Sequence, residues 1–197
     1  MHKEIRIAGF GGQGIVLAGY ILGKALSLYD GLEAVMTQSY GPEARGGASS
    51  ANIVVSDEPI DYPFVQRPDI LVAISQEAYT KFRPTTKPKS IILIDGDLVN
   101  TFEDDRPLEV PATRFAEELG RRIVTNVVMM GFFTAITKVV SRGAMEKAIE
   151  TSVKSKTVPL NMNAFAKGYE FGSRQSSNHS EFQSVILDDD LVKGDPI

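Results

Sequence analysis

The sequence predicts an α/β fold, a three-layer domain in which helices cover both faces of a mainly parallel sheet. Two observations carry this prediction. Apolar runs of strand length alternate with segments of helical periodicity, and two of these runs are apolar almost throughout. The chain has 197 residues, enough for one ordinary domain. With 43% hydrophobic and 23% charged residues, it is expected to be globular.

Each strand is predicted from a run of apolar or β-branched residues between turn-forming ones. The first run leads straight into a glycine-rich turn, and a loop rich in glycine separates the second run from the third. The fourth and fifth runs are nearly all apolar, which is typical of strands buried on both faces. The predicted strands cover 4–8, 33–37, 50–56, 69–74 and 90–95, with an extended piece over 108–111.

Each helix is predicted from apolar residues that recur three and four positions apart. Capping and breaking residues set the ends: Thr113 and Asn126 are candidate caps, and Pro84 and Gly120 are stops. The predicted helices cover 15–26, 76–82, 113–119, 127–140, 144–154 and 160–171.

The composition changes at Gly172, which sets the predicted domain at residues 1–172. Residues 173–180 are polar and lack periodicity, so they are predicted to form a linker. The segment 182–187 is apolar again. We therefore expect residues 173–197 to be a polar C-terminal tail, or an arm that docks on another surface.

Composition excludes several classes of function. The chain has no cysteine, and its only histidines are His2 and His179, so neither a catalytic residue nor a metal ligand is assigned. A net charge of −4 disfavours nucleic-acid binding. The sequence contains no run of about 18 apolar residues, so no membrane span is expected and a cytoplasmic location is the default.

A glycine-rich turn follows the first predicted strand. Gly9, Gly11 and Gly14 fit the pattern G-x-G-x-x-G between a strand and a helix. Such glycines allow a tight turn and a close backbone approach to a ligand, and the following helix offers free N–H groups to an anion. A turn that merely closes the sheet is the open alternative.

A dinucleotide enzyme would also need an acidic residue at the end of the second strand to bind ribose. That strand ends in Met36-Thr37-Gln38; Glu33 stands at its start and Glu43 lies beyond a proline. The sequence therefore lacks the second half of a dinucleotide site.

The loop over 39–47 combines an aromatic hydroxyl, an acid and an arginine with three glycines and a proline. Opening from the carboxyl end of a strand, it stands where parallel sheets gather ligands. Arg45 is a candidate to pair with a carboxylate, a phosphate or an acidic partner surface. A solvated loop shaped only by turns explains the same composition.

Two motifs then carry a resemblance to a known family. The first is GFGGQGI over 9–15, and the second is SYGPEARGG over 39–47. Together with NVVMMG over 126–131 and NAFAKGY over 163–169, they resemble the gamma subunits of 2-oxoacid:ferredoxin oxidoreductases. The resemblance covers about residues 4–172.

The resemblance implies a Rossmann-like domain within a multi-subunit enzyme. Such enzymes decarboxylate a 2-oxoacid on thiamine diphosphate, pass electrons through iron–sulfur clusters to ferredoxin, and transfer the acyl group to coenzyme A. It implies alpha, beta and delta subunits as partners, and a gamma chain that holds no cofactor alone, is inactive alone and helps form the coenzyme A side. The residues it assigns as cofactor-binding are Gly9, Gly11, Gly12, Gln13, Gly14, Ser39, Tyr40, Glu43, Arg45, Gly46, Gly47 and Asn126.

The two motifs look more like the branch of the family that acts on 2-oxoglutarate. The smaller subunit of indolepyruvate:ferredoxin oxidoreductase is the alternative within the family. A stand-alone Rossmann-type nucleotide-binding protein and a pure scaffold are the alternatives of other classes.

Overall fold

The structure is a computed structural model that describes residues 1–39 and 48–178. Across these ranges six strands form one sheet, and six α-helices pack on it. The strands are β1 His2–Phe10, β2 Glu33–Ser39, β3 Ala48–Ser56, β4 Ile70–Ala73, β5 Ile91–Asp95 and β6 Leu108–Val110. The helices are α1 Ile15–Lys24, α2 Gln76–Phe82, α3 Ala112–Glu118, α4 Thr125–Thr137, α5 Arg142–Glu150 and α6 Val158–Asn178. A π-helical turn follows α1 at Ala25–Tyr29.

The strand order is β2-β3-β1-β4-β5-β6. Strands β1, β4, β5 and β6 are parallel, which confirms the predicted fold class. Strand β3, however, lies between β1 and β2 and is antiparallel to both. Because Phe10 is opposite Ala48 and Ser39 is opposite Ser50, the ends of β1 and β2 reach the same edge of the sheet. We call this edge the carboxyl edge.

The two faces of the sheet are covered unequally. Helices α1, α3, α4, α5 and α6 bury the larger apolar cluster on one face, and α2 buries a smaller cluster on the other. Side chains alternate between these faces along β1, so Ile5 and Ile7 enter the larger cluster while Ala8 enters the smaller one.

Helix α4 is buried along its whole length, which is typical of a helix enclosed within a core. It crosses α6 at two glycines. A Cβ at Gly131 would overlap the carbonyl oxygen of Phe165, and one at Gly168 would overlap that of Val128. The two helix backbones are therefore in direct contact at the crossing.

Several helix ends differ by a few residues from the predicted bounds, and three of the differences concern the predicted caps and the linker. Thr113 lies inside α3 rather than capping it, since Pro111 occupies the cap position. Asn126 lies inside α4, whose cap position is held by Val124. Helix α6 continues past Gly172 to residue 178, so the residues expected to form a linker are helical up to that point. The division of the chain at 172 remains a prediction, and residues 179–197 lie outside the described part.

Candidate functional site

The glycine turn joins β1 to α1 at the carboxyl edge. Gly12 has a φ of 90° and Gly14 a φ of 72°, so both are in the left-handed region that glycine tolerates best. The backbone N–H of Gln13 donates to the carbonyl of Phe10 at 3.2 Å and closes the turn. Helix α1 then begins with Gly14 at its cap position, without a side-chain cap.

The side chain of Gln13 holds this turn from within. Its Oε1 accepts a hydrogen bond from the N–H of Phe10 at 2.7 Å, and its Nε2 donates to the carbonyl of Ile74, just after β4, at 3.4 Å. A Cβ on Gly9 would lie 2.5 Å from that Oε1 atom. Glycine at this position therefore leaves room for the glutamine amide.

Asn126 supports the turn from the side of α4. The residue is only 2% exposed. Its Nδ2 donates to the carbonyl of Gly14 at 3.0 Å, and its Oδ1 accepts from the N–H of Val127 at 3.0 Å. The asparagine thus ties α4 to the start of α1.

The outer part of the turn is open. Gly11 and Gly12 are exposed, and a Cβ at either would meet no described heavy atom within 4 Å. The first turn of α1 holds no acidic residue. The first N–H groups of α1 have no hydrogen-bond partner within the helix. Because no acidic side chain of the same turn repels an anion there, they can bind one.

The second predicted motif begins beside this turn. Ser39 is exposed at the end of β2, while Ser49 donates its hydroxyl to the carbonyl of Gly9 at 3.2 Å. Glu77 of α2 accepts from the N–H of Ala48 at 3.2 Å and fixes the point where β3 begins. Outside the described residues lie Tyr40, Glu43, Arg45, Gly46 and Gly47. Glu33 stands opposite Ser56, at the far edge of the sheet from the turn.

Ser49, Glu77 and the carbonyl of Ile74 are site residues that sequence reasoning missed. Ser49 belongs to a run of small residues that carries no motif. Glu77 stands in the first turn of α2, where acids are common because they complement the helix dipole. Its bond to β3 depends on the fold, so the sequence offers no signal for it.

A buried carboxylate marks the end of β5 at the same edge. Asp95 accepts a hydrogen bond from the hydroxyl of Thr113 at 2.6 Å and another from the N–H of Thr113. It also accepts from the N–H of Ala112 at 3.2 Å. Burial raises the pKa of Asp95, although the bonds from Thr113 and Asp97 act in the opposite direction. Since its oxygens accept from the start of α3, Asp95 serves to anchor that helix.

A salt bridge between Arg83 and Asp105 holds the segment that follows β5. Arg83 donates to both carboxylate oxygens of Asp105, at 2.6 and 2.7 Å, and the hydroxyl of Tyr79 donates to the same group. These bonds, that from Arg83 foremost, hold the pKa of Asp105 below its usual range. Among residues 1–39 and 48–178, no three acidic or histidine side chains are grouped to hold a metal ion. No helix in those ranges is long and apolar enough to cross a membrane.

Replacing Asn126 is expected to loosen the glycine turn. Asn126→Ala removes a buried hydrogen bond to Gly14 and should cost about 1–3 kcal/mol in the free energy of unfolding. Asn126→Asp should cost more at neutral pH, because a carboxylate cannot donate to a carbonyl and burial disfavours its charged form. Its folded-state pKa is then raised, so stability should recover as the pH falls and the acid protonates.

Chemical denaturation between pH 4 and 8 checks this expectation. Asn161→Ala is the control, because Asn161 also donates its amide to a backbone carbonyl, that of Thr157 at 2.8 Å, but in the first turn of α6. The unfolding free energy that Asn161→Ala loses should not change with pH. If Asn126→Asp were as stable as the wild type at pH 7, the bond to Gly14 would contribute nothing.

Comparisons with known proteins agree with one another. A family model described as pyruvate ferredoxin/flavodoxin oxidoreductase matches residues 4–171. The 2-oxoglutarate synthase subunit KorC of Methanocaldococcus jannaschii is 55% identical over 175 residues, covering 86% of this chain and 94% of that protein. The subunit of the same name from Methanothermobacter marburgensis is 54% identical over 179 residues, covering 86% and 96%.

Among solved structures, the chain is similar to the gamma subunit of a keto/oxoacid ferredoxin oxidoreductase from Geobacter sulfurreducens. The TM-score is 0.78 at 40% sequence identity, and the match covers 86% of this chain and 95% of that one.

Proposed function

Because the chain belongs to the pyruvate ferredoxin/flavodoxin oxidoreductase family and is the gamma subunit of a 2-oxoglutarate:ferredoxin oxidoreductase, we propose that its carboxyl edge contacts the other subunits and coenzyme A. In the complete enzyme, placed in the cytoplasm, 2-oxoglutarate would be oxidised with loss of carbon dioxide, and its succinyl group would form a thioester with the sulfur of coenzyme A, which releases its thiol proton. The two electrons released would reduce ferredoxin.

The residues of this chain limit which parts of the reaction it can carry out within the complex. Iron–sulfur clusters need cysteine ligands and the chain has no cysteine, so other subunits would hold the clusters, which in this proposal are the beta or delta subunits. Thiamine diphosphate supplies the decarboxylation and lies between the alpha and beta chains in this proposal. The present chain contributes binding surface and no reacting group.

The observation that supports this role is the exposed backbone at Gly11 and Gly12. Without side chains there, a phosphate or a neighbouring subunit can approach the main chain closely. Gln13 and Asn126 would act as positioning residues, since their amides are engaged within the chain. Arg45 would supply positive charge for a phosphate or a carboxylate.

The same geometry disfavours a self-sufficient dinucleotide enzyme. In such enzymes the second strand lies beside the first and ends in an acid that binds ribose. Here β3 separates β1 from β2, and β2 ends in Thr37-Gln38-Ser39. Neither the strand order nor the residues at that end supply the acid.

Substituting Gly11 tests the proposal. Gly11→Met places a long side chain in open space, so it should leave the fold intact but keep ligands and partners away from the turn. In the reconstituted complex we expect turnover to fall or the apparent KM for coenzyme A to rise, each by about tenfold. Arg45→Ala should act in the same direction, with under about 0.5 kcal/mol lost from the stability of the isolated chain.

The matched control is Gly143→Met, since Gly143 is also exposed and a Cβ there meets no described heavy atom within 4 Å. Gly143 lies on α5, away from the carboxyl edge, and this complex should behave as the wild type. Normal assembly, turnover and coenzyme A dependence in both Gly11→Met and Arg45→Ala would reject the carboxyl edge as a functional surface.

A further inference from the structure

A polar pocket of about 420 Å³ opens at the end of α4, between that helix, α5 and α6. Its volume is within the range of pockets that bind small molecules. Thr134 and Ala135, near the end of α4, line it, whereas Asn126 holds the glycine turn from the first turn of the same helix. The pocket therefore lies at the opposite end of α4 from the glycine turn.

Two cations, Lys138 and Arg142, line this pocket, and no acidic residue lines it. The guanidinium of Arg142 lies 4.7 Å from the ring centre of Tyr169, and its Nε donates to Glu146 at 2.7 Å. That bond foremost, and the charge of Glu170 to a smaller extent, raise the pKa of Arg142. Its two terminal nitrogens have no hydrogen-bond partner within the part of the chain that the structure describes. Arg142 is thus oriented by two contacts while part of its guanidinium is free to bind an anion.

Two serine hydroxyls on α6 complete the set of donors. Ser173 and Ser176 line the pocket three residues apart, on one face of the helix. Neither hydroxyl has a partner among residues 1–39 and 48–178, whereas the hydroxyls of Thr134 and Ser177 donate to backbone carbonyls. The pocket therefore brings together donors that lack an acceptor, which is the arrangement that binds an oxygen-rich anion.

The backbone of Lys138 points to a role for its side chain. It ends α4 in the left-handed region, with a φ of 53°, where glycine is the usual residue. Within the described ranges it is the only residue other than glycine with a positive φ. Its amino group has no partner there. A lysine held at this backbone cost is explained if its charge serves the pocket.

The wall of the pocket includes residues that the family resemblance does not supply. The family model matches residues 4–171, and α6 continues to Asn178. Ser173 and Ser176 therefore belong to turns of α6 beyond the match. The pocket is a feature of this chain that the family assignment does not explain.

We propose that this pocket binds the phosphate group of a small organic ligand. A phosphate carries about two negative charges at neutral pH, so it can pair with both Lys138 and Arg142, whereas a carboxylate would balance only one of them. Ser173 and Ser176 would donate to its remaining oxygens. The pocket is larger than a phosphate ion, which leaves room for the organic part of the ligand. One chain forms the whole site, so binding needs no other subunit.

Calorimetry of the intact chain with inorganic phosphate, in chloride buffer of constant ionic strength, tests this proposal. We expect saturable binding with one phosphate per chain. Lys138→Gly should raise the Kd at least about tenfold, yet it should melt at or above the wild-type temperature, because glycine relieves the left-handed backbone. Arg142→Gln should raise the Kd by a similar factor, and Ser176→Ala by about threefold.

Lys147→Gln is the matched control. Lys147 is also exposed on α5, but its amino group lies over the ring of Tyr29 and does not line the pocket. The control loses the same charge, and its Kd should equal that of the wild type. Equal weakening in the control and in Lys138→Gly would show diffuse attraction instead of a site. That result, or the absence of saturable binding by the wild type, would overturn the inference, while the proposed function at the carboxyl edge would stand.

The same chain carries a second source of negative charge, at Asp188, Asp189 and Asp190. A full-length variant with all three replaced by asparagine distinguishes this source from a free phosphate. We expect its Kd for phosphate to lie within about twofold of the wild type. Binding at least about tenfold tighter in this variant would show that these carboxylates compete for the pocket, and it would overturn the assignment of a phosphate ligand.

Discussion

Replacing Gly168 or Gly131 by alanine is expected to destabilise the domain more than any exposed substitution. The added Cβ would overlap a carbonyl oxygen of the facing helix, so relief requires α4 and α6 to move apart and opens the core between them. We expect each variant to lose at least about 3 kcal/mol of unfolding free energy, which corresponds to a melting temperature about 6–12 °C lower.

Thermal unfolding of the isolated chain measures this effect, with Gly143→Ala as the matched control. Gly143 is also helical but exposed, so alanine there should stabilise by about 0.5–1 kcal/mol. The double variant at Gly131 and Gly168 should lose less than the sum of its parts, because one separation of the helices relieves both clashes. Melting of Gly131→Ala within 2 °C of the wild type would contradict the close crossing.

The isolated chain is expected to show no oxidoreductase turnover. It has no cysteine to hold a cluster, and His2 and His179 are its only histidines. The titratable groups buried at its carboxyl edge, such as Asp95, are engaged in holding helices. The assay supplies 2-oxoglutarate, coenzyme A and a viologen dye to the purified chain, and reduction of the dye should not exceed the rate without protein.

Adding the other subunits of the same oxidoreductase should restore dye reduction, and leaving out the present chain should lower it. That pair of measurements distinguishes an inactive subunit from a misfolded preparation. Turnover by this chain alone would contradict its assignment as a subunit without a reacting group. It would instead support the hypothesis of a self-sufficient enzyme.

Local signals were enough to place most of the helices and strands. Helix α2 has its predicted bounds, because Ser75 caps it with its hydroxyl and Pro84 follows its end. The antiparallel placement of β3 could not be predicted in the same way. Every residue of β3 is buried although four of the nine are Ser or Asn, so the strand lacks the alternation of apolar and polar residues that is typical of an antiparallel strand with one face in water. Its partners are fixed by contacts far apart in the chain.

The sequence predicts which residues belong to the candidate site, but it does not indicate which of their side chains are held within the chain. Gln13 and Asn126 were assigned to a cofactor on the strength of a resemblance, and the structure engages both amides within the chain. Gly11 and Gly12 remain the open positions. The burial of Arg6, which is 9% exposed, was missed because a single cation in an apolar strand carries no motif. Its burial follows from β1 being covered on both faces.

The close crossing of α4 and α6 also has a consequence for biosynthesis. Helix α4 is buried on all sides and ends at Thr137, whereas α6, which packs against it, ends at Asn178. At ordinary translation rates the ribosome needs about 2–8 s to add the intervening residues. During that interval a nascent chain carries a helix with one uncovered apolar side, which invites chaperone capture or aggregation. Release of the chain before Gly168 would make this exposure permanent.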